Sequence, residues 1–272
     1  MEIPATTGTT LQPDTRFVIA DGIKMPIIGF GTFQLEPGEE TERSVLLALE
    51  HGYRLIDTAA IYNNEKEVGS AIRKSGIPRE EIFVTTKLWN DAHGRNKAKE
   101  AFQRSLDALQ TSYIDLYLIH WPESGALVET WQSLIELANG GECRSIGVSN
   151  FEQDHINQIV EATSVVPSVN QIKFNVYEYP RELTDYCFEN NIAVEAYSPI
   201  AQGKYGKDSR LESIAGKYGR SIIQVMLRWA LQKGTIVIPR SSKEEHISEN
   251  IDLFGFELSD EDIMKLDTIG ES

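Results

Sequence analysis

Asp57, Tyr62, Lys87 and His120 are the residues whose types and spacing could do chemistry. Asp57 ends the run Arg54-Leu-Ile-Asp57, Lys87 ends Ile82-Phe-Val-Thr-Thr-Lys87, and His120 ends Leu116-Tyr-Leu-Ile-His120; Tyr62 follows Asp57 by five positions. A tyrosine hydroxyl, with an ordinary pKa of ~10, exchanges protons poorly at neutral pH. A neighbouring ammonium favours the phenolate, so Lys87 is expected to lower the Tyr62 pKa and Asp57 to hold Lys87 charged and oriented. His120 can donate a hydrogen bond to a substrate oxygen or to Tyr62. Together they make a tuned acid beside a polarising donor, suited to protonating a carbonyl oxygen while hydride arrives at the carbon. Singly, a strand-end Asp or Lys is more often a structural ion pair, a strand-end His a satisfied rim residue, and Tyr62 a cap on a barrel mouth. Their joint occurrence at successive strand ends points to function.

The elements that must position them repeat. From Asp57 to Lys87 is 30 residues and from Lys87 to His120 is 33, and a βαβ unit takes about 30 or more. Each step therefore reads as a strand, a helix and a return to the carboxyl edge of one parallel sheet, where α/β folds keep their chemistry. Strands are expected over 27–31, 54–58, 82–86, 116–119, 145–148, 168–172, 192–197 and 235–238. Helices are expected near 39–51, 65–75, 96–110, 128–139, 152–163, 180–190 and 245–252, with extra ones near 208–218, 221–233 and 260–269. The strands are apolar runs without strict alternation, as in sheets buried on both faces. Eight alternations without a linker argue for one α/β domain over 1–272, a (β/α)8 barrel. An N-terminal β-hairpin, signalled by Asp21-Gly22, would cap its bottom, and residues 1–15 would form a flexible tail. A doubly wound sheet would want a glycine fingerprint. Gly29-Phe-Gly31 starts one, but Gln34 holds the third position, so close backbone approach at a barrel rim is the better reading.

Bulk properties narrow the partners. The chain has 272 residues, 41% hydrophobic and 25% charged, with a net charge of −15. That acidity argues against nucleic acid and anionic membrane, which need basic surface. No apolar run is long enough to span a bilayer, and the N-terminus has no secretory pattern. Cys143 and Cys187 are far apart, which suits a reducing, cytoplasmic compartment. The scattered His51, His93, His120, His155 and His246 suggest no metal site.

Longer motifs carry a resemblance. Gly29-Phe-Gly-Thr-Phe33, Leu55-Ile-Asp-Thr-Ala-Ala-Ile-Tyr62, Thr86-Lys87-Leu-Trp89, Leu118-Ile-His120-Trp-Pro122, Ile146-Gly-Val-Ser-Asn-Phe151, Val169-Asn-Gln171, Ala196-Tyr-Ser-Pro199 and Ile238-Pro-Arg-Ser241 resemble, in order, the aldo-keto reductase family. The likeness runs from about residue 16 to 269. It implies a TIM barrel that reduces aldehydes or ketones with NADPH or NADH, with Tyr62 as proton donor, Lys87 and Asp57 tuning it and His120 orienting the carbonyl. It places the cofactor against Thr32, Asp57, Ser149, Asn150, Gln171, Tyr197, Ser198, Pro199, Ile200 and Gln202. Of these, Ser149, Asn150 and Gln171 would hold the carboxamide, and Tyr197 would stack on the nicotinamide. Phe33, Trp89 and Trp121, with His120, would line the substrate pocket. Arg240, Ser241 and His246 fall where the family grips a 2′-phosphate, and Glu249 and Asn250 where it faces adenine.

The pattern departs at His246, where the family usually has arginine. A histidine is uncharged for much of the time near neutral pH, so NADPH should be held less tightly than in a typical member and NADH should be more usable. Short mouth loops at 121–129 and 201–207, and a sequence given only to Ser272, lead to the expectation of an open, shallow pocket tolerant of small aldehydes and ketones, keto-sugars included. The expected protein is a monomer with a small-molecule carbonyl substrate. The competing class is a non-catalytic nicotinamide-binding regulatory or structural protein on the same barrel, which the intact four-residue set disfavours.

Overall fold

The computed structural model describes residues 11–19, 22–123, 125–205 and 207–271. Among the described residues ten strands follow in chain order: β1 (Arg16–Val18), β2 (Lys24–Pro26), β3 (Phe30–Gly31), β4 (Leu55–Asp57), β5 (Phe83–Leu88), β6 (Ile114–Ile119), β7 (Cys143–Ser149), β8 (Val169–Lys173), β9 (Ala193–Tyr197) and β10 (Ile236–Val237). The helices are α1 (Glu39–Glu50), α2 (Glu65–Lys74), α3 (Arg95–Leu109), α4 (Leu127–Gly140), α5 (Gln153–Thr163), α6 (Arg181–Glu189), α7 (Ser209–Tyr218), α8 (Ile222–Gln232), α9 (Glu244–Ile251) and α10 (Asp260–Asp267).

Strands β3 to β10 pair in sequence order, every neighbour parallel. The sheet closes on itself at Ile28 and Val237, where Gly29 N donates to Val237 O (2.8 Å), Val237 N to Ile27 O (3.0 Å) and Gly31 N to Pro239 O (3.0 Å). This is the expected (β/α)8 barrel. Apolar runs such as Leu55-Ile and Leu116-Tyr-Leu-Ile are buried on both faces, because one face lines the barrel interior and the other meets the helices. The Gly-x-Gly reading of close backbone approach holds at Gly31, where a Cβ would lie 2.9 Å from the Ile238 carbonyl oxygen across the seam; a Cβ on Gly29 would instead lie 2.4 Å from Cγ of the Leu55 side chain.

The first strand is shorter than expected. Residues 27–29 bond across the seam but do not extend β3, which begins at Phe30. The hairpin β1–β2 pairs Phe17 with Met25 and buries both, closing the end opposite the strand C-termini. Of its expected turn, Asp21 lies outside the described residues, while Gly22 takes the left-handed conformation (φ 74°) that such turns ask of glycine. Residues 1–10 of the expected tail also lie outside them. Residues 11–15 are anchored, contrary to that expectation: Leu11 is buried, and Gln12 N bonds Thr15 Oγ1 at 2.8 Å. The late helices carry start signals legible in sequence. Ser221 and Gln224 form a capping box on α8, and Ser259 Oγ accepts from Asp262 N on α10. Helix α10 ends at Asp267, and 269–271 is a separate 3₁₀ turn.

Candidate active site

Strand register puts the four polar residues at one end of the barrel. Asp57 is the last residue of β4, Lys87 the penultimate one of β5, and His120 follows β6. Tyr62 sits on a 3₁₀ turn, Ala60–Tyr62, that follows β4. Asn64 fixes that turn. Its Oδ1 accepts from Thr58 Oγ1 (2.7 Å), and its Nδ2 donates to Thr32 O (3.0 Å).

Lys87 is fully buried, and its ammonium donates to Asp57 Oδ1 (2.7 Å), Asp57 Oδ2 (2.8 Å) and Thr58 O (2.9 Å). The nitrogen lies 5.2 Å from the Tyr62 ring centroid. Burial works against the charge on Lys87, but Asp57, Tyr62 and Glu195 around it carry its pKa above the usual value, so it remains a cation. The expected fall in the Tyr62 pKa is corrected by the structure. Burial raises it, and although Lys87 pulls it down, the charges of Asp57 and Glu195 add to the burial effect, so the net direction is up. Tyr62 is therefore kept protonated, the form an acid must have before it acts.

The His120 ring meets Tyr62 edge-on at 5.7 Å and Trp89 at 5.1 Å. Burial and the nearby Lys87 charge push its pKa down to about 3, so it works as a neutral imidazole. The folded value lies below the ordinary 6.5, so the stability His120 contributes is present above 6.5 and is lost as pH falls towards 3. The thermal midpoint of the wild type is expected to drop over that interval, and that of His120→Gln to drop less. Equal slopes would show that the ring is not held neutral by burial.

The remaining expected residues fall around this centre. Ser149 Oγ donates to Gln171 O (3.0 Å). Asn150, at φ 60°, donates from Nδ2 to His120 O and Ser149 Oγ (3.0 Å each) and accepts from Tyr197 Oη (2.8 Å). The amide hydrogens of Asn150 are thus committed, leaving an oxygen lone pair for a ligand. Gln171 Nε2 donates to Asp57 Oδ2 (2.8 Å) and to Glu195 Oε2 (2.7 Å), and its Oε1 accepts nothing among the described residues. Thr32 is buried, its hydroxyl on Asp57 O (3.0 Å). Pro199 is buried and Ile200 half-buried, in a loop where Ser198, Ala201 and Gln202 all have positive φ, strain of the kind that collects at ligand sites. Phe33 (48% exposed) and Trp121 (42% exposed) stand at the mouth, and Trp89 is half-buried against His120. Phe33 contacts the Tyr62 ring at 5.1 Å.

Arg240 is exposed, but its guanidinium is held: Nε donates to Phe33 O (3.2 Å) and Nη2 to Gln34 Oε1 (2.9 Å). Ser241 is buried with its hydroxyl on Lys243 N (3.1 Å). On α9, His246 and Glu249 are half-buried, and Asn250 is buried with Oδ1 unpartnered. These donors and acceptors fit a nicotinamide dinucleotide. Among the described residues, Gln171 Oε1 and Asn250 Oδ1 have no donor and can accept amide or amine hydrogens. Glu195 is a residue of this centre that the sequence analysis does not single out. The signal was one acidic residue inside an otherwise apolar five-residue strand. Gln34 was missed as the partner of Arg240.

Comparison with known proteins adds the decisive observation: the profile described as the Aldo/keto reductase family matches residues 27–271. The chain belongs to the aldo/keto reductase family. It is an NAD(P)H-dependent oxidoreductase of that family. It is 45% identical over 251 residues to a glyoxal reductase of Bacillus subtilis, covering 92% of this chain and 91% of the relative. A solved aldo/keto reductase from Brucella melitensis superposes with a TM-score of 0.90 at 42% identity, covering 93% and 98% of the two chains. An aldo-keto reductase from Bombyx mori, solved with NADP, superposes with a TM-score of 0.88 at 38% identity, covering 93% and 92%. Among the described residues, no helix is long and apolar enough to cross a membrane.

Proposed function

We propose that this family member reduces small aldehydes and ketones to alcohols, with Tyr62 as the proton donor and NADPH as the main reductant. The observation that carries the reading is the buried Lys87 ammonium. It is clamped on both oxygens of Asp57 and stands 5.2 Å from the ring of a phenol held protonated. A dihydronicotinamide, when bound here, would supply hydride to the carbonyl carbon. As the carbonyl electron pair moves onto oxygen, Tyr62 transfers its proton there, and the Lys87 charge stabilises the phenolate left behind. Solvent at the mouth returns the proton. Neutral His120 donates a hydrogen bond to the same oxygen and orients it.

Gln171 and Ser149, with the free lone pair of Asn150, hold the carboxamide, and the Tyr197 ring supports the nicotinamide. Thr32, Ser198, Pro199, Ile200 and Gln202 line the rest of the groove. Arg240, Ser241 and His246 take the 2′-phosphate, and Glu249 and Asn250 the adenine. Exposed Phe33 and Trp121 suit small carbonyls, a class in keeping with the relative named for glyoxal. The same reading makes the protein a cytosolic monomer. Cys143 and Cys187 are unpaired and buried, and burial pushes their thiols up to about 12 and about 11.

The test is loss of reduced-nicotinamide absorbance with glyoxal, nitrobenzaldehyde and a ketone panel, run with NADPH and with NADH. Turnover with both cofactors is expected. His246→Arg should raise the NADPH-to-NADH ratio of kcat/KM by about tenfold, since a guanidinium adds a permanent bidentate phosphate partner. An unchanged ratio removes His246 from the phosphate site. No turnover with any carbonyl would leave the non-catalytic reading.

A further inference from the structure

Glu195 is a buried acid for which the reaction above has no use. It sits in mid-β9, fully buried, across the register from Gln171 on β8 and Ile236 on β10. One oxygen, Oε2, accepts the Gln171 amide at 2.7 Å, and the other, Oε1, is buried without a partner among the described residues. The same Gln171 nitrogen donates to Asp57 at 2.8 Å, so one amide bridges two carboxyl groups. An ionised carboxylate such as Asp57 offers acceptors only, and a protonated Glu195 with its proton on Oε1 still offers Oε2 as an acceptor. With both neighbours calling for hydrogens, the amide has one favourable orientation: the NH2 end faces the acids and Oε1 is left free.

We propose that Glu195 is a positioning residue that locks the Gln171 amide, so that Oε1 is presented to the carboxamide hydrogens of the nicotinamide, and whose own proton keeps the buried cluster beneath Tyr62 electrically balanced. The first half rests on the cofactor reading given above. The second follows from the charges that face Glu195, namely Asp57 and Lys87, with Tyr62 above them. Two carboxylates against one ammonium would leave a buried net negative charge, which is costly. Burial and the Asp57 charge accordingly push Glu195 up to about 8. While it is protonated, Asp57 and Lys87 cancel. When it ionises, the added negative charge opposes formation of the Tyr62 phenolate and slows proton donation.

Two variants separate these roles. Glu195→Leu removes the acceptor from Gln171 and frees its amide to turn. Glu195→Gln keeps an acceptor, matches the protonated acid in shape and cannot ionise. The NADPH dissociation constant, read by quenching of protein fluorescence, is expected to rise about tenfold in E195L, the loss of one hydrogen bond to a carboxyl group. In E195Q it should stay within about twofold of wild type. In the pH profile of kcat, the wild type should decline through about 8, and E195Q should move that decline to higher pH. An E195L dissociation constant within about twofold of wild type overturns the locking role. If E195L does not fold, E195Q decides alone, and an alkaline decline unchanged from wild type overturns the proposal. Wild-type protein that does not bind NADPH at all would overturn the cofactor reading and this proposal with it, whereas normal wild-type binding with insensitive variants overturns only the role of Glu195.

Discussion

Tyr62→Phe is expected to lose about a thousandfold or more in kcat for carbonyl reduction, while its dissociation constant for NADPH stays near the wild-type value. The substitution removes one oxygen and its proton and leaves the ring that contacts Phe33 and His120 in place. The pocket wall therefore survives, and the acid does not. The remaining donor, His120, is held neutral with a pKa of about 3. It can polarise a carbonyl but is a poor source of the proton that the developing alkoxide must receive. Stopped-flow measurement of the hydride step separates chemistry from product release. Near-normal turnover in this variant would remove Tyr62 from the acid role.

The second large effect falls on stability as well as rate. Lys87→Met leaves Asp57 as an unpaired carboxylate in a fully dry site, and breaking such a pair typically costs ~3–5 kcal/mol. Denaturant titration should show that loss at neutral pH. Adding Asp57→Asn to the same chain removes the stranded charge, so most of the stability should return. Activity should not return in the double variant, because the phenolate of Tyr62 would still lack its cation. Recovery of turnover along with stability would mean that Lys87 serves the fold and not the reaction. A single variant as stable as wild type would contradict the buried pair.

The barrel was legible because its signals are local and repeated: apolar runs spaced by one βαβ length, with polar residues at the same end of each. Asp57, Lys87 and His120 stand within two residues of their strand ends for that reason. The seam was less legible. Whether residues 27–29 continue a strand depends on how the two edges of the sheet meet, and that pairing joins segments some two hundred residues apart. The direction of the Tyr62 pKa was misread because sequence shows a neighbouring charge but not the depth of burial, and burial dominates. Glu195 was passed over for a related reason. Its importance lies in a contact to Gln171 and, through it, to Asp57, and only barrel closure brings those strands to one interior. Arg240 is expected from the resemblance as a phosphate partner, and nothing in its neighbourhood of the chain announces Phe33 O and Gln34 as its partners.

The closure of the ring has a mechanical consequence. β3 and β10 are the shortest strands of the barrel, two residues each, and backbone bonds from three donors join the two edges. The ladders flanking β6 are longer. Local opening favours regions held by few mutual bonds, and this joint is one of them. Thr32 stands on one lip of that joint and Arg240 on the other, tied across by the grip of the guanidinium on the Phe33 carbonyl. A side chain at the rim thus acts as a hasp on a sparsely bonded edge of the vessel.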